Sequence, residues 1–139
     1  DQDFPISVEV QFLGGLSDGN ARPTANVCSP GTRLVYAGAP DASHCIQAAA
    51  PTIDGDAWVT ADVLVLGDER IVHYIDGLPV IEYGAITYGG ENVNGHDPQA
   101  KPDGMPLARG HIALQSESHP IQFRRVELLD LAGCSGCQN

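Results

Sequence analysis

Apolar and polar residues alternate along much of this chain, and this period of two constrains its fold more than any other feature. Between residues 6 and 12 the apolar side chains occupy the even positions, which are Ile6, Val8, Val10 and Phe12. Alternation of this kind is typical of a β-strand with one buried face. No segment carries an apolar stripe at helical spacing together with helix caps. The pattern therefore predicts an all-β protein.

Three neighbouring segments predict an antiparallel meander: Trp58–Leu66, Arg70–Ile75 and Pro79–Tyr83. The turn between the last two is Asp76-Gly77, a pair that favours tight turns because glycine tolerates positive φ. Trp58 opens the first strand and is expected in the core. Further strands are expected at residues 33–37, 110–115 and 121–131, and loops at residues 16–57 and 84–109.

Length and turn residues indicate how these strands are arranged. The chain has 139 residues, of which 16 are Gly and 10 are Pro, so turns are frequent. This length suits one domain, and short strands joined by Gly/Pro turns are typical of a β-sandwich or barrel. We expect a single antiparallel β-sandwich over residues 1–131 and a tail of small residues with two cysteines over residues 132–139.

The charge balance excludes two classes of partner. Seven Lys and Arg against 18 Asp and Glu give a formal net charge of −11. Nucleic acids and anionic membrane surfaces both attract basic faces, so neither is expected to bind. No apolar run approaches the about 20 residues of a transmembrane helix, so no membrane insertion is expected. The chain begins at Asp1 without Met or a signal peptide, as in a mature product or a fragment.

Four cysteines suggest an oxidising compartment. Cys28 and Cys45 flank a Gly/Pro-rich loop, and a disulfide between them would staple it. Cys134 and Cys137 form a CxxC pair, which suits a redox pair, half of a metal site or part of a disulfide network. We expect disulfides, with free thiols or a metal as alternatives, and a secreted, periplasmic or cell-surface location.

Three stretches resemble one known family. They are residues 3–15 (DFPISVEVQFLGG), residues 22–32 (RPTANVCSPGT) with His44-Cys45, and residues 110–124 (GHIALQSESHPIQFR). The family is the 3-keto-disaccharide hydrolase domain, and the resemblance covers nearly all of residues 3–131. It implies a concanavalin-like jelly roll, the antiparallel sandwich of lectins and glucanases. Family members carry strands before the first of these stretches, so we expect this sandwich to be incomplete or completed by another chain.

The resemblance also implies an activity, cleavage of a glycosidic bond in a sugar with a ketone at C3. The ketone acidifies the C2 proton, so a base removes it, the C1 leaving group departs with an acid's help, and water adds back. We expect Glu9 or His119 as the base and Glu117 as the acid. Hydrolysis by two carboxylates is the alternative chemistry. Substrate contacts are expected from four further residues: Gln11, Gln115, Arg124 and His111.

The spacing of the candidate residues has a functional and a structural interpretation. Gln115, Glu117 and His119 occupy alternate positions, so in an extended segment they project to one side. A carboxylate beside an imidazole is a proton-transfer pair, but the same residues also suit a turn in which they hold backbone groups. Arg124 suits either a substrate oxygen or an ion pair within the sheet. His73 shares a face with Ile71 and Ile75 and is expected in the core or at a sheet edge.

A second class of function is a non-catalytic module. An incomplete jelly roll can bind polysaccharide or assemble with copies of itself, a neighbour's strand filling its open edge. No cofactor is expected, with calcium as the alternative, held by loop acids among Asp41, Asp54, Asp56, Asp97 and Asp103. The motifs of serine hydrolases, zinc proteases, kinases and dinucleotide-binding enzymes are absent.

Overall fold

A computed structural model describes residues 3–90, 93–117 and 119–134 of the chain. The regular secondary structure of these residues consists of strands alone. They are β1 (Glu9–Gln11), β2 (Asn26–Cys28), β3 (Thr32–Tyr36), β4 (Ala39–Asp41), β5 (Cys45–Ile46), β6 (Ala61–Leu66), β7 (Arg70–Ile75) and β8 (Leu78–Tyr88). Among the described residues there is thus no helix that could cross a bilayer.

The strands form two antiparallel sheets. One has three strands in the order β1-β2-β5, and the other has five in the order β4-β3-β8-β7-β6. The all-β antiparallel sandwich is therefore confirmed. The β6–β7–β8 meander is the predicted one, with Gly67 and Gly77 both at positive φ in its turns. β8 is longer than predicted and runs on to Tyr88.

The core lies where the two sheets face each other. Val8, Val10 and Val27 contribute from the first sheet and the residues before it, and Leu34, Ile71, Ile75, Ile81 and Ile86 contribute from the second. Val8 and Val10 occupy alternate positions, so the apolar face predicted for the first strand is the face that packs on the core. The polar positions between them consequently face away from it.

The core ends before the outermost strand of the larger sheet. Val63 and Val65 of β6 are in register with His73 and Ile71, so they lie on the core face of the sheet. They are nevertheless 40% and 54% exposed. The five-stranded sheet is wider than the three-stranded sheet, so the three-stranded sheet does not cover β6. Trp58 precedes this strand and is 57% exposed, so its predicted place in the core is wrong.

The chain divides into two compact units, Asp1–Arg109 and Gly110–Asn139. Both sheets belong to the first. In the second, the described residues form no strand, so the strands predicted at residues 110–115 and 121–131 are wrong. Their apolar side chains are largely exposed, as at Ile112 and Leu128. Alternation marks a segment that suits a strand, but a strand also needs a partner, and no described residue pairs with these. The single domain over residues 1–131 stays a prediction.

Candidate functional site

The first strand carries two of the predicted site residues on one face. Glu9 and Gln11 flank Val10, and Val10 packs against the core, so both polar side chains stand on the opposite face of the three-stranded sheet. Both are half-buried. The alternation of polar and apolar residues in β1 therefore orients Glu9 and Gln11 away from the core.

A buried asparagine positions the amide of Gln11. Asn26 lies opposite Gln11 in β2 and donates from Nδ2 to Gln11 Oε1 at 3.4 Å. Its own Oδ1 accepts the Ala48 N–H at 2.9 Å, which fixes the orientation of the Asn26 amide. Because the Gln11 oxygen accepts from Asn26, its NH₂ group is the donor that it offers to a ligand. Asn26 was not among the predicted site residues, because it lies in a segment that was expected to be loop.

Glu9 lies beside the predicted disulfide. In the sheet register Glu9 is opposite Cys28, and Cys28 is opposite Cys45. Cys28 and Cys45 are bonded, which confirms the pairing predicted for them. The bond closes a loop that leaves the three-stranded sheet, forms β3 and β4 of the other sheet and returns. Cys134 is also disulfide-bonded, and Cys137 lies outside the described residues.

In the second unit, part of the predicted cluster is held together. Gln115 Nε2 donates to Glu117 Oε2 at 3.3 Å. The Ser116 hydroxyl donates to the His119 carbonyl at 2.7 Å, and His119 N donates to the Glu117 carbonyl at 2.8 Å. These are local contacts between residues close in sequence, and Gln115, Glu117 and His119 are all exposed. The functional and the structural interpretation of these residues both stay predictions.

His111 and Arg124 are exposed as well, and Arg124 is not in a strand. The hypothesis that Glu9 shares one hollow with Gln115, Glu117, His119 and Arg124 joins residues of the two units. It stays a prediction, as do the catalytic and substrate-binding roles assigned to these residues.

Four of the five loop acids considered for calcium have protein partners. Asp54 accepts from Ser17, Asp41 from the Ser43 N–H, and Asp97 from the Gln99 N–H. Asp103 lies 3.9 Å from the guanidinium of Arg33. Across the described residues, no group of three His, Cys, Asp or Glu side chains is placed to hold a metal ion.

His73 occupies the interior between the two sheets, as predicted. It is fully buried, its Nδ1 is 2.9 Å from the Ala25 carbonyl and its Nε2 is 2.8 Å from the Tyr83 hydroxyl. The carbonyl can only accept, so Nδ1 carries the proton, and the Tyr83 hydroxyl donates to Nε2. Since Ala25 directly precedes β2 while His73 lies in β7, this chain of hydrogen bonds joins the two sheets. Its burial makes His73 a structural residue.

The buried imidazole makes stability depend on pH. Burial lowers the pKa of His73 below its ordinary value, and the bond to Ala25 offsets only part of that effect. Below about pH 6.5 the unfolded chain binds a proton that the folded chain resists, so the free energy of unfolding falls as pH decreases. We expect the free energy of unfolding to fall between pH 6.5 and 5, by less than the about 1.4 kcal/mol per pH unit that corresponds to one whole proton, measured by urea unfolding at several pH values. His73→Gln, which does not titrate, should unfold with little pH dependence in that window; an equal slope in both proteins would contradict this assignment.

Comparison with known proteins gives one match. The family described as a 3-keto-alpha-glucoside-1,2-lyase-like domain matches residues 1–129. The match includes β1 with Glu9 and Gln11 and extends through the turn at residue 117. No curated protein and no solved structure matches the chain significantly.

Proposed function

Because the chain belongs to the 3-keto-alpha-glucoside-1,2-lyase-like domain family, we propose that it cleaves 3-keto-glucosides or related saccharides by acid–base chemistry. The observation that carries the proposal is the polar face of β1, where half-buried Glu9 stands beside an oriented Gln11 amide. A carboxylate accepts a proton, and an amide N–H stabilises a developing negative charge on oxygen. These are the two properties that removal of a proton next to a ketone requires.

In the proposed mechanism Glu9 removes the C2 proton and leaves an enolate whose oxygen is the former C3 carbonyl. The C1–O bond then breaks, the leaving group takes a proton from a general acid, and C1=C2 unsaturation remains. Addition of water across that bond gives the free 3-keto sugar, with a solvent proton at C2. Gln11, which lies on the same face of β1 as Glu9, contacts the oxygen that bears the charge.

The route of the C2 proton tests this mechanism. The purified chain is incubated with a 3-keto-glucoside in D₂O, and the released sugar is analysed early by mass spectrometry. Elimination and rehydration place one deuterium at C2 during cleavage, whereas direct hydrolysis by two carboxylates retains the original proton. Substrate incubated without protein corrects for spontaneous exchange beside the ketone.

Glu9→Gln should lower the rate of sugar release by about 100-fold, because the amide keeps the shape of the side chain but cannot accept the proton. Glu127→Gln removes an exposed carboxylate that pairs with Arg125, and it should leave the rate unchanged. An active Glu9→Gln variant would remove Glu9 from the mechanism. A chain that binds the substrate without releasing sugar would not be an enzyme.

Binding of the substrate without release of sugar would correspond to a second candidate function, a non-catalytic carbohydrate-binding or self-assembling module. The observation in its favour is β6, an edge strand whose core-facing Val63 and Val65 remain exposed. An exposed apolar edge can accept a strand from another chain. In either role, the Cys28–Cys45 disulfide supports a secreted, periplasmic or cell-surface location.

A further inference from the structure

The segment before β1, residues 3–8, is fastened near both of its ends, and we call it the strap. At its start the Asp3 carboxylate accepts the Asn94 backbone N–H at 2.7 Å and the Asn94 Nδ2 group at 2.9 Å. Asp3 N–H in turn donates to the Asn94 carbonyl at 3.1 Å. Near its end, Ser7 N–H donates to the Pro30 carbonyl at 3.0 Å. The strap then continues directly into β1.

Between these bonds the strap packs against a glycine. A Cβ on Gly31 would lie 2.8 Å from Ile6 Cγ1, so the Ile6 side chain occupies the space that a larger residue would need. The same Cβ would lie 3.2 Å from Val93 Cγ2, and Val93 directly precedes Asn94. The strap and the segment that leads to Asn94 therefore pack on one residue, and the three bonds between Asp3 and Asn94 join them.

Asn94 is followed by Gly95, and this pair is chemically reactive. The chain has five asparagines, of which Asn94 alone precedes a glycine. Glycine has no side chain to hinder attack by its backbone nitrogen, and its backbone adopts conformations that other residues avoid, as the φ of 73° at Gly95 shows. Asn94 is also exposed, so water reaches its side-chain amide. The pair therefore suits attack of the Gly95 nitrogen on the Asn94 amide carbon.

We infer that Asn94 is a site of spontaneous deamidation, and that its conversion releases the strap. The Gly95 nitrogen bonds to Asn94 Cγ, the Cγ–Nδ2 bond breaks, and ammonia leaves with the proton of the Gly95 N–H, so that a cyclic imide forms. Water then opens either carbonyl of the ring and gives aspartate or isoaspartate. The net change is uptake of water and loss of ammonia, and it needs no oxidant or reductant.

The product of this reaction brings two carboxylates together. In the unreacted chain, hydrogen bonds from the Asn94 side chain and backbone hold the pKa of the Asp3 carboxyl below its usual range, so it is charged at neutral pH. Deamidation replaces the Nδ2 group, 2.9 Å from Asp3 Oδ2, by a carboxylate oxygen. A donor is thus lost and two like charges repel at close range. The start of the strap consequently separates from residue 94.

Asn20 provides a matched control within the same chain. Its backbone N–H and its Nδ2 group donate to the two carboxylate oxygens of Asp18, both at 2.9 Å, so its amide is held in the same two-pronged way. Asn20 is exposed, as Asn94 is, but it is followed by Ala21, whose methyl group hinders the backbone nitrogen. Asn20 should therefore keep its amide under conditions in which Asn94 loses it.

The first test follows the reaction itself. The full chain is incubated at mildly alkaline pH, and its peptides are analysed by mass spectrometry after chromatography that separates aspartate from isoaspartate. We expect Asn94 to deamidate at least about tenfold faster than Asn20. A synthetic peptide of residues 93–97 serves as the unfolded reference. If Asn94 stays intact in the chain after the peptide has reacted, or if Asn20 reacts as fast as Asn94, the inference is overturned.

The second test follows the strap. Asn94→Asp places the carboxylate directly, and hydrogen exchange at the Asp3 and Ser7 amides should become about tenfold faster, because both amides are bonded within the fastened strap. Asn20→Asp, which adds the same charge beside Asp18, should leave exchange at these two amides unchanged. Unchanged exchange in Asn94→Asp would show that Asn94 does not hold the strap. Neither test uses a sugar, so this inference goes beyond the proposed activity and its outcome is independent of it.

Discussion

His73→Ala should lower the free energy of unfolding by about 4 kcal/mol. The imidazole is fully buried, so its removal leaves a cavity between the sheets. It also leaves the Ala25 carbonyl and the Tyr83 hydroxyl without the partners they have at 2.9 and 2.8 Å. Cavity and unpaired polar groups each destabilise a core, and here they act together. Urea unfolding at pH 7.5, where the imidazole is neutral, measures the effect.

One further variant measures the contribution of a single contact to this loss of stability, and another serves as a control. Tyr83→Phe removes only the hydroxyl that donates to His73 Nε2 and should cost about 1–2 kcal/mol. His111→Ala changes an exposed histidine and should stay within about 0.5 kcal/mol of the unaltered chain. If His73→Ala were as mild as His111→Ala, the two sheets would not depend on this bridge.

Replacing Cys28 and Cys45 together by Ala should cost about 3 kcal/mol, the second large effect. The disulfide spans 17 residues, and it links β2 to β5 at the two ends of a segment that contributes β3 and β4 to the other sheet. Without it, the unfolded chain gains the freedom of that loop, while the folded chain still has to order it. Urea unfolding of the double variant under oxidising conditions measures the difference.

Reductant provides the control for the disulfide. Dithiothreitol should destabilise the unaltered chain by a similar amount but should change the double variant far less, since only the disulfide of Cys134 remains in it. A double variant as stable as the unaltered chain would show that strand pairing alone orders the loop. Because Glu9 is opposite Cys28 in the sheet, the double variant is also expected to bind substrate more weakly.

Alternation predicted the strands of the meander well. β7 matches its predicted segment, and β6 ends where predicted but begins at Ala61 instead of Trp58. The strands β2, β4 and β5 were not predicted and lie in a segment that was expected to be mainly loop. Each of them has only two or three residues. Such strands are too short to display a period, and their pairing comes from partners distant in the chain.

Gly84 shows how a single residue misleads this kind of reasoning. It was taken as the end of a strand, yet β8 continues through it to Tyr88. Glycine is required there because the Glu69 carbonyl approaches where a Cβ would be, and not because the chain turns. That approach is a tertiary contact, so no local pattern announces it.

The sequence likewise predicted some features of the candidate site and missed others. The sequence placed Glu9 and Gln11 on one face, since alternation within a strand is a local property, and its cysteine spacing suggested the loop that Cys28 and Cys45 close. It did not indicate that Asn26 orients Gln11, nor that Arg70 and Glu82 meet in a two-pronged ion pair.

By itself, then, the sequence determined the class of fold, the polar face of β1 and the family, because these depend on residue types read in order along the chain. Tertiary structure decided which side chains meet: His73 with Ala25 and Tyr83, and Arg70 with Glu82. Those contacts depend on the register between strands and on which sheet each strand joins. Register and sheet order are set by the packing of the whole core, which no short segment contains.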